Sequence, residues 1–338
     1  MPDSANSYDG PVLEIEDLCL SYYTRAGEIP AVVDFSATLA PGESIGLVGE
    51  SGCGKSTTGN MIVKLLNPTA GKVLFRGRDI SSMSNEQDRE YKRNVQIIFQ
   101  DPSSSLDPRQ TAGKIIGEPL VINGRRREAK DVVLKLMAEV GLLEEQYGLY
   151  PHELSGGQRQ RIGVARGLAL NPSLIVCDEP VSALDVSIQA QILNLMRDLQ
   201  EEFHLTYLLI SHDLSVVEHM ADRVAILYLG KLVEMGPSEE IFSNPLHPYT
   251  EALLKSVPVA DPRIKSGLDS APGEVGSAIN PPSGCYFHPR CAYAKDQCKS
   301  EHPVLSQVRG THGAACHFAD SLQLRGVQRR VGKKERNR

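Results

Sequence analysis

The chain has 338 residues, of which 41% are hydrophobic, so it is long enough to bury a large core and to form more than one domain. Its net charge of −6 argues against a nucleic-acid partner, which would favour a basic surface. No apolar run approaches the roughly 20 residues of a membrane-spanning helix, and the first ten residues lack the basic-then-apolar order of a secretion signal. We therefore expect a cytoplasmic protein with a flexible N-terminus, which would need membrane-spanning partners for any role at a membrane.

The first half of the sequence begins with strand patterns and continues with helical ones. Strands are predicted within 12–48 and at 72–75 and 95–99. From about residue 101 to residue 170 the pattern favours helices, including an amphipathic stretch at 130–140 that ends at Gly141.

Strand and helix patterns alternate in the second half. The predicted elements are a helix at 186–203 and buried strands at 173–177, 206–210 and 224–228. This alternation predicts an α/β protein whose parallel sheet is covered on both faces. From about residue 257 proline, glycine and serine become frequent, so we place a domain boundary near residue 260. The basic segment 328–338 is predicted to be a solvated, disordered tail, in preference to a segment attracted by an anionic lipid surface.

A glycine-rich loop joins a predicted buried strand at 44–48 to a predicted helix at 57–66. Residues 49–57 read G-E-S-G-C-G-K-S-T and match the phosphate-binding pattern G-x-x-x-x-G-K-[ST]. The strand before the loop and the helix after it are the context that this pattern requires, and they favour a phosphate site over an ordinary glycine turn. Cys53 occupies a variable position of the loop, and we interpret it as a small filler rather than a redox switch.

The residue types of this loop indicate how it would hold a nucleotide. Glycines allow backbone N–H groups to turn toward phosphate oxygens, and the helix N-terminus adds partial positive charge. Lys55 is expected to contact the β- and γ-phosphates, and Ser56 is expected to ligate Mg²⁺. The expected nucleotide-binding residues of the loop are Gly49, Ser51, Gly52, Gly54, Lys55, Ser56 and Thr57.

An apolar strand at 174–177 is followed by two carboxylates, Asp178 and Glu179. Asp178 is expected to hold Mg²⁺ directly or through water, and Glu179 is expected to act as the general base that polarises the attacking water. A buried strand can end in such a pair for other reasons, so this interpretation depends on the phosphate loop in the same chain.

Further motifs give the sequence a family resemblance. Residues 154–158 read L-S-G-G-Q, Gln100 follows the strand at 95–99, residues 182–185 read S-A-L-D, and residues 211–213 read S-H-D after the strand at 206–210. In order and spacing, residues 12–255 resemble the nucleotide-binding subunit of an ATP-binding cassette (ABC) transporter.

The resemblance implies a fold and a division into domains. The expected fold is a P-loop NTPase (RecA-like) parallel sheet core with an N-terminal antiparallel β subdomain, a helical subdomain and a small Cys-containing C-terminal extension. The expected division is a flexible N-terminus at 1–10, a nucleotide-binding domain at 11–260 with its helical subdomain at about 101–165, an oligopeptide-transporter-type extension at 261–320, and a basic, disordered tail at 321–338.

The resemblance also assigns roles within one nucleotide site. Tyr22 aligns with the aromatic side chain that stacks on adenine, and Tyr23 is a close competitor. Gln100 would link Mg²⁺ and the attacking water to a membrane-spanning partner, which makes Ser56, Gln100 and Asp178 the expected Mg²⁺ ligands. His212 would contact the γ-phosphate and help to position the water. The expected catalytic residues are Glu179, His212, Lys55 and Gln100. Taken alone, His212 could be a buried structural histidine and Gln100 a surface glutamine.

A second set of residues is expected to act on the nucleotide of another subunit. The resemblance implies that Ser155, Gly156, Gly157 and Gln158 cap the γ-phosphate held by the opposite chain and that Asp185 bridges the two chains. Ser155 precedes two glycines and opens a predicted helix at 158–170, so free N–H groups at that N-terminus can bind phosphate. ATP would then hold two such chains together, and hydrolysis would release them.

Three stretches are similar to importers of oligopeptides, dipeptides and nickel, namely residues 100–109, residues 247–254, and residues 284–291 with the cysteines downstream. The similarity implies an ATPase at the cytoplasmic face of the cell membrane that drives peptide uptake. The implied partners are two transmembrane permease subunits, a second ATP-binding subunit and, indirectly, an extracytoplasmic substrate-binding protein. Neither the cargo nor the identity of the second ATPase subunit follows from the sequence.

Other functions remain as alternatives. A soluble ABC ATPase that acts on a macromolecular complex would usually carry a second cassette or a long coiled-coil insertion, and neither is present in the sequence. An importer of nickel or another small solute is a closer alternative. The tail argues against an exporter, and intact Lys55, Asp178, Glu179 and His212 argue against a regulator that does not hydrolyse ATP.

Cys285, Cys291, Cys298 and Cys316 lie close together near the C-terminus. Four such thiols in a cytoplasmic chain favour a metal site over disulfides. The paired C-x₂-C spacing of many structural zinc sites is missing, so a 4Fe–4S cluster, which some members of the resembling subfamily carry, is favoured over zinc and over no metal. We expect any such cluster to staple a loosely packed segment rather than to transfer electrons.

Overall fold

The computed structural model describes residues 8–25, 27–256, 276 and 279–327. Its strands are β1 (Leu13–Thr24), β2 (Gly27–Leu39), β3 (Ser44–Val48), β4 (Ala70–Phe75), β5 (Arg78–Asp79), β6 (Val95–Ile98), β7 (Leu174–Asp178), β8 (Thr206–Ser211), β9 (Arg223–Tyr228), β10 (Lys231–Pro237), β11 (Ser306–Arg309) and β12 (His312–Ala314). Its α-helices are α1 (Lys55–Ile62), α2 (Asn85–Asn94), α3 (Pro102–Ser105), α4 (Ala112–Ile122), α5 (Ala129–Glu139), α6 (Gly156–Leu168), α7 (Val186–Phe203), α8 (Leu214–Met220), α9 (Ser238–Ser243), α10 (Pro248–Ser256) and α11 (Asp296–Ser300). Short 3-10 helices lie at Ile80–Ser82, Glu144–Gly148, Pro151–Glu153 and His288–Arg290.

The first sheet is antiparallel, with the strand order β2-β1-β4-β5. Along β1 the buried side chains alternate with more exposed ones, and the alternation is reset between Ile15 and Leu18 by a register shift at Asp17, whose φ is +44°. Because side chains of a strand alternate between two faces, this pattern turns one face of the sheet toward the core. The N-terminal antiparallel β subdomain predicted from the sequence is therefore confirmed.

The second sheet has the strand order β11-β12-β10-β9-β3-β8-β7-β6 within the described residues. Strands β9, β3, β8, β7 and β6 are parallel neighbours, whereas β10, β12 and β11 extend the sheet in antiparallel fashion. Every residue of β3 and β8 is buried, as expected for parallel strands that helices cover on both faces. The predicted α/β core is thus confirmed, and the carboxyl ends of its parallel strands share one edge.

Helices α3 to α6 follow β6, in the region where the sequence predicted a helical subdomain. Buried apolar residues of α4, α5 and α6, including Ile116, Val133 and Ile162, belong to one core cluster. Helix α5 ends where Gly141, with φ of +71°, lets the chain leave the helix. The predicted helix at 186–203 coincides with α7.

The helix after the phosphate loop is shorter than predicted. The sequence suggested a helix over residues 57–66, but α1 ends at Ile62, and Lys64 has a left-handed φ of +59°. The N–H groups of Leu65 and Leu66 both donate to the carbonyl of Asn60, which closes the helix. The side chain of Lys64 turns away to donate to Asp88 and to the carbonyl of Ile80, so tertiary contacts override the apolar pattern.

The C-terminal extension joins the central sheet. Strand β12 pairs with β10, so that Glu234 lies opposite Ala314, and β11 completes a hairpin at the edge. Strands β10, β11 and β12 were not predicted from the sequence, and β11 and β12 have only four and three residues. The predicted boundary near 260, residues 1–7 of the predicted flexible N-terminus and residues 328–338 of the predicted tail at 321–338 lie outside the described residues. Residues 321–327 of that tail are described, and the N–H groups of Arg325 and Val327 donate to the carboxylate of Glu251 and the carbonyl of Phe242.

Candidate nucleotide site at the carboxyl edge of the central sheet

The loop between β3 and α1 requires glycine where the backbone of other segments approaches it closely. Gly54 has φ of +100°, and a Cβ atom there would lie 2.1 Å from the carbonyl oxygen of Ala31. A Cβ atom on Gly49 would lie 2.2 Å from the carbonyl oxygen of Leu227. Both distances are shorter than any side chain tolerates, so β2 and β9 fix the shape of the loop.

The side chain of Lys55 folds back into this loop. Its Nζ atom donates to the carbonyl oxygens of Gly49 at 2.7 Å and Glu50 at 3.0 Å, and only 6% of the residue is exposed. The lysine charge is therefore held inside the loop that the sequence predicted to bind phosphate. Cys53 is buried against it, and burial raises the pKa of the thiol, which agrees with a filler role.

Two of the expected magnesium ligands meet directly. The hydroxyl of Ser56, in the first turn of α1, donates to a carboxylate oxygen of Asp178 at 2.9 Å. Burial raises the pKa of Asp178, and the bond from Ser56 opposes that shift. A hydroxyl and a carboxylate oxygen are hard donors of the kind that Mg²⁺ prefers, so the pair fits the ion.

Three of the expected catalytic side chains form a second cluster beside this pair. Glu179 accepts a hydrogen bond from Nε2 of Gln100 at 2.8 Å on one carboxylate oxygen, and Nδ1 of His212 lies 2.9 Å from the other. Glu179 has φ of +45°, and its N–H donates to the carbonyl of Ile210 at 2.9 Å. The strand ends of β6, β7 and β8 thus aim an amide, a carboxylate and an imidazole at one place. Gln100 is therefore bonded to Glu179, and it makes no hydrogen bond to the other two expected Mg²⁺ ligands, Ser56 and Asp178.

The L-S-G-G-Q segment forms the start of α6. Ser155 is the N-cap, its hydroxyl accepts from the N–H of Gln158 at 3.3 Å, and the side chain of Gln158 accepts from the N–H of Ser155 at 2.9 Å. Ser155 is exposed and Gly156, Gly157 and Gln158 are half-buried at this helix N-terminus, whose partial positive charge favours an anion. Within the described residues, no hydrogen bond joins these side chains to the loop at 49–57. Gly156 and Gly157 lie in the same first turn.

The remaining expected binding residues stand apart from the loop. Asp185 is the N-cap of α7 and accepts from the hydroxyl of Ser187 at 2.7 Å and from the N–H of Ile188 at 3.1 Å. These hydrogen bonds lower the pKa of the Asp185 carboxyl, and the bond from the Ser187 hydroxyl has the largest effect. Tyr22 and Tyr23 lie near the end of β1 and are 41% and 74% exposed, so the structure leaves both available to a planar ligand.

One contact of the phosphate loop was missed by the sequence analysis. The guanidinium of Arg290, in the C-terminal extension, makes two hydrogen bonds of 2.9 Å to the carboxylate of Glu50. An arginine among cysteines in the sequence carried no sign of this partner, because the two residues are far apart in the chain.

The four C-terminal cysteines face one cavity, which His288 and His317 also line. None is in a disulfide, and burial raises the pKa of Cys285, Cys291 and Cys316 to about 11. Among the described residues no three His, Cys, Asp or Glu side chains are close enough to hold one metal ion. The arrangement therefore does not match a tetrahedral zinc site, whose four thiolates all lie about 2.3 Å from one ion.

No helix in the described part of the chain combines the length and the apolar character needed to cross a membrane.

The chain matches two family models. Residues 32–182 match the ABC transporter model, and residues 233–298 match the model of the oligopeptide/dipeptide transporter C-terminal region. The chain is 52% identical to the oligopeptide transport ATP-binding protein AppF of Bacillus subtilis (strain 168), a similarity that covers 88% of this chain and 92% of that protein. It is 46% identical to the dipeptide transport ATP-binding protein DppF of Haemophilus influenzae, over 88% and 92% of the two chains.

Solved structures resemble the same region. The dimeric ATP-binding cassette MJ0796 in a post-hydrolysis state with ADP and Pi is 28% identical, with a TM-score of 0.60, and covers 67% of this chain and 98% of its own. The structure of cbiO1 from Clostridium perfringens, part of the ABC transporter complex cbiONQ, is 26% identical, with a TM-score of 0.61, and covers 69% and 91%. This chain therefore belongs to the ABC transporter family, as an ATP-binding and ATP-hydrolysing subunit that carries the C-terminal region of oligopeptide and dipeptide transporters.

Proposed function

We propose that this subunit powers the uptake of oligopeptides or dipeptides across the cytoplasmic membrane. The carrying observation is the match of residues 233–298 to the oligopeptide/dipeptide transporter C-terminal region, together with 52% identity to an oligopeptide transport ATP-binding protein. The subunit would lie at the cytoplasmic face as a peripheral protein beneath two transmembrane permease subunits. An extracytoplasmic substrate-binding protein would deliver the peptide to those permease subunits. The helical subdomain at about 101–165 would make the permease contact, within a nucleotide-binding domain at 11–260. No nucleic acid takes part.

The loop at 49–57 and the end of β7 would hold the nucleotide. Backbone N–H groups of the loop would bind phosphate oxygens, and Lys55 would exchange its bonds to the carbonyls of Gly49 and Glu50 for the β- and γ-phosphates. Ser56 and Asp178, already joined by a hydrogen bond, would hold Mg²⁺, with Gln100 as a further ligand. The ion, when bound, neutralises charge that develops on the transferred phosphoryl group.

Glu179 would act as the general base. Its carboxylate lies between Gln100 and His212, so a water in line with the γ-phosphate could give its proton to Glu179 while the imidazole of His212 contacts the phosphate. Gln100 would link changes at this cluster to the permease subunits. Tyr22, or Tyr23 in its place, would stack on adenine.

Hydrolysis would need two facing ATP-binding subunits. Ser155, Gly156, Gly157 and Gln158 of one chain would cap the γ-phosphate on the loop of the other, and Asp185 would bridge the two. The support is that α6 presents a capped N-terminus without a hydrogen bond to the loop of its own chain, within the described residues.

A test of transport compares a strain that lacks this subunit with the same strain carrying the wild-type chain or Lys55→Ala. Wild type should restore uptake of a radiolabelled peptide, and Lys55→Ala should not, because phosphate binding is lost. Restored nickel uptake with unchanged peptide uptake would favour the metal importer instead. Purification of the chain from its native membrane without any membrane-spanning protein would favour a soluble ABC ATPase.

The cysteine cavity supports a second proposal, a 4Fe–4S cluster bound by Cys285, Cys291, Cys298 and Cys316. Each thiolate of such a cluster binds a different iron, so the four sulfur atoms can stand farther apart than around a single ion. When bound, the cluster would staple the extension, which spans residues 261–320. Anaerobically purified protein should contain iron and acid-labile sulfide and absorb broadly at about 400 nm. Colourless protein without iron would refute this proposal and leave the ATPase proposal untouched.

A further inference from the structure

An ion pair between Arg290 and Glu50 ties the phosphate loop to the C-terminal extension. Two nitrogens of the Arg290 guanidinium each lie 2.9 Å from a different carboxylate oxygen of Glu50, and the exposed side-chain fractions are 8% and 26%. Two parallel N–H···O bonds fix orientation as well as distance. The pair therefore sets where Glu50 lies relative to the body of the protein.

Glu50 is held from three directions. Its carboxylate binds Arg290, its N–H donates to the hydroxyl of Tyr249 at 2.9 Å, and its carbonyl accepts from Nζ of Lys55 at 3.0 Å. The last of these contacts involves the residue that meets the phosphates. A displacement of Glu50 would consequently change both the loop backbone and the position of the lysine.

Arg290 is itself rigidly placed. It ends the 3-10 helix at His288–Arg290, and its guanidinium carbon lies 5.9 Å from the ring centre of Tyr228 and 5.8 Å from that of Phe287. These rings pack against Tyr249 at centroid distances of 4.7 Å and 5.4 Å. One buried aromatic cluster thus supports the arginine and also the tyrosine that holds the N–H of Glu50.

We infer that Arg290 is a positioning residue of the ATP site. It holds the phosphate loop through Glu50 and neutralises a carboxylate that would otherwise repel the triphosphate from within the loop. The inference rests on the proposed roles of the loop and Lys55, and it adds that the extension is a working part of the nucleotide site. Without Arg290, ATP affinity falls while the catalytic cluster at Glu179 stays in place.

The test is a double-mutant cycle on the purified full chain. We expect Arg290→Ala to raise Kd and KM for ATP by about tenfold, a typical coupling for residues in contact, with a much smaller change in kcat at saturating ATP. Kd is measured with a fluorescent ATP analogue and KM by phosphate release. In the Glu50→Ala background the effect of Arg290→Ala should vanish, because the carboxylate through which it acts is gone.

A matched control is Arg309→Ala, which removes an exposed arginine of the same extension and should leave Kd and KM unchanged. If Arg290→Ala does not fold, Arg290→Lys and Arg290→Gln replace it. Arg290→Lys keeps the charge but loses the two-point contact, so it should raise KM less than Arg290→Gln, which removes the charge. The inference would be overturned if an Arg290 variant raised Kd and KM equally in the wild-type and Glu50→Ala backgrounds. Arg290 would then act only through general stability.

The outcomes separate this inference from the proposed function. Wild-type protein that neither binds nor hydrolyses ATP would refute the function itself. Wild-type protein that does both, alongside an Arg290→Ala variant with unchanged Kd and KM, would refute only the role of Arg290.

Discussion

At the residue scale, Glu179 is the side chain on which hydrolysis is expected to depend. Both its carboxylate oxygens already have partners, Gln100 and His212, which orient it without closing it to solvent. A carboxylate held in this way is suited to accept a proton from water. The neighbouring carboxylate, Asp178, is bound by Ser56 instead, so two adjacent acids have separate surroundings.

Glu179→Gln should bind ATP and hydrolyse it about 10²–10⁴-fold more slowly, because an amide cannot accept the proton. The variant should also accumulate as an ATP-bound dimer, seen by size-exclusion chromatography with ATP present. Turnover equal to that of wild type would remove Glu179 as the base.

His247 gives the fold a predicted sensitivity to acid. It is 1% exposed, it accepts a hydrogen bond from the N–H of Tyr249 at 3.0 Å, and burial lowers its pKa from 6.5 to about 3. Below about pH 6.5 the unfolded chain takes up a proton at His247 and the folded chain does not. The contribution of His247 to the free energy of unfolding is therefore full above that pH and falls by about 1.4 kcal/mol per pH unit toward pH 3.

Urea unfolding at pH 7.0, 6.0 and 5.5 should show this loss in the wild type, and His247→Asn should show a shallower dependence on pH. The comparison uses the slope against pH, so a constant loss of stability in the variant does not matter. Parallel slopes for the two proteins would exclude His247 as the source.

At the element scale, the phosphate loop depends on β2 and β9 as much as on its own sequence. The motif gives the positions of the glycines, but it does not show at which of them another backbone segment comes close. In the structure Gly54 faces the carbonyl of Ala31. A Cβ atom added to Gly52, whose φ is +80°, would have none of the described residues within 4 Å.

Gly54→Ala should therefore lower the thermal midpoint far more than Gly52→Ala. Gly52→Ala has only the strain of a left-handed backbone to bear, about 1 kcal/mol, whereas Gly54→Ala must also displace β2. Calorimetry of the two variants side by side checks this. Equal losses would mean that the approach of Ala31 does not constrain the loop.

Local patterns were enough to predict the elements that bury one continuous face. The strand β3, the helix α7 and the order of the motif residues along the sheet edge follow from apolar periodicity and from glycine placement. The end of α1 could not be predicted from local patterns, because Lys64 turns out of the helix to reach Asp88. Nor could the Arg290–Glu50 pair or strand β12, since each depends on a partner far away in the sequence.

At the scale of the whole molecule, the chain carries the two segments that we propose form one ATP site between facing chains, and within the described residues no hydrogen bond joins their side chains. One segment is the loop at 49–57, and the other is the capped N-terminus of α6. The assembly of two facing ATP-binding subunits would bring the loop of one chain and α6 of the other together into a complete site.

Ser155→Arg should abolish turnover while leaving ATP binding to the loop of the same chain intact, because a long cation would block only the site of the facing subunit. Ser155→Ala is the control, since it removes the helix cap, at a cost of about 1 kcal/mol in stability, but leaves room for phosphate. Phosphate release and binding of a fluorescent ATP analogue separate the two effects. Loss of binding in Ser155→Arg itself would argue that α6 acts on its own chain.

The central position of β3 has a consequence for synthesis on the ribosome. This strand ends at Val48, yet its neighbours are β8 and β9, which end at Ser211 and Tyr228. At about 5–20 residues per second, the ribosome needs roughly ten seconds or more to deliver those neighbours. The phosphate loop thus emerges long before the sheet that carries it, and Arg290 emerges later still. A nascent chain would acquire full affinity for ATP only after Arg290 has emerged and paired with Glu50.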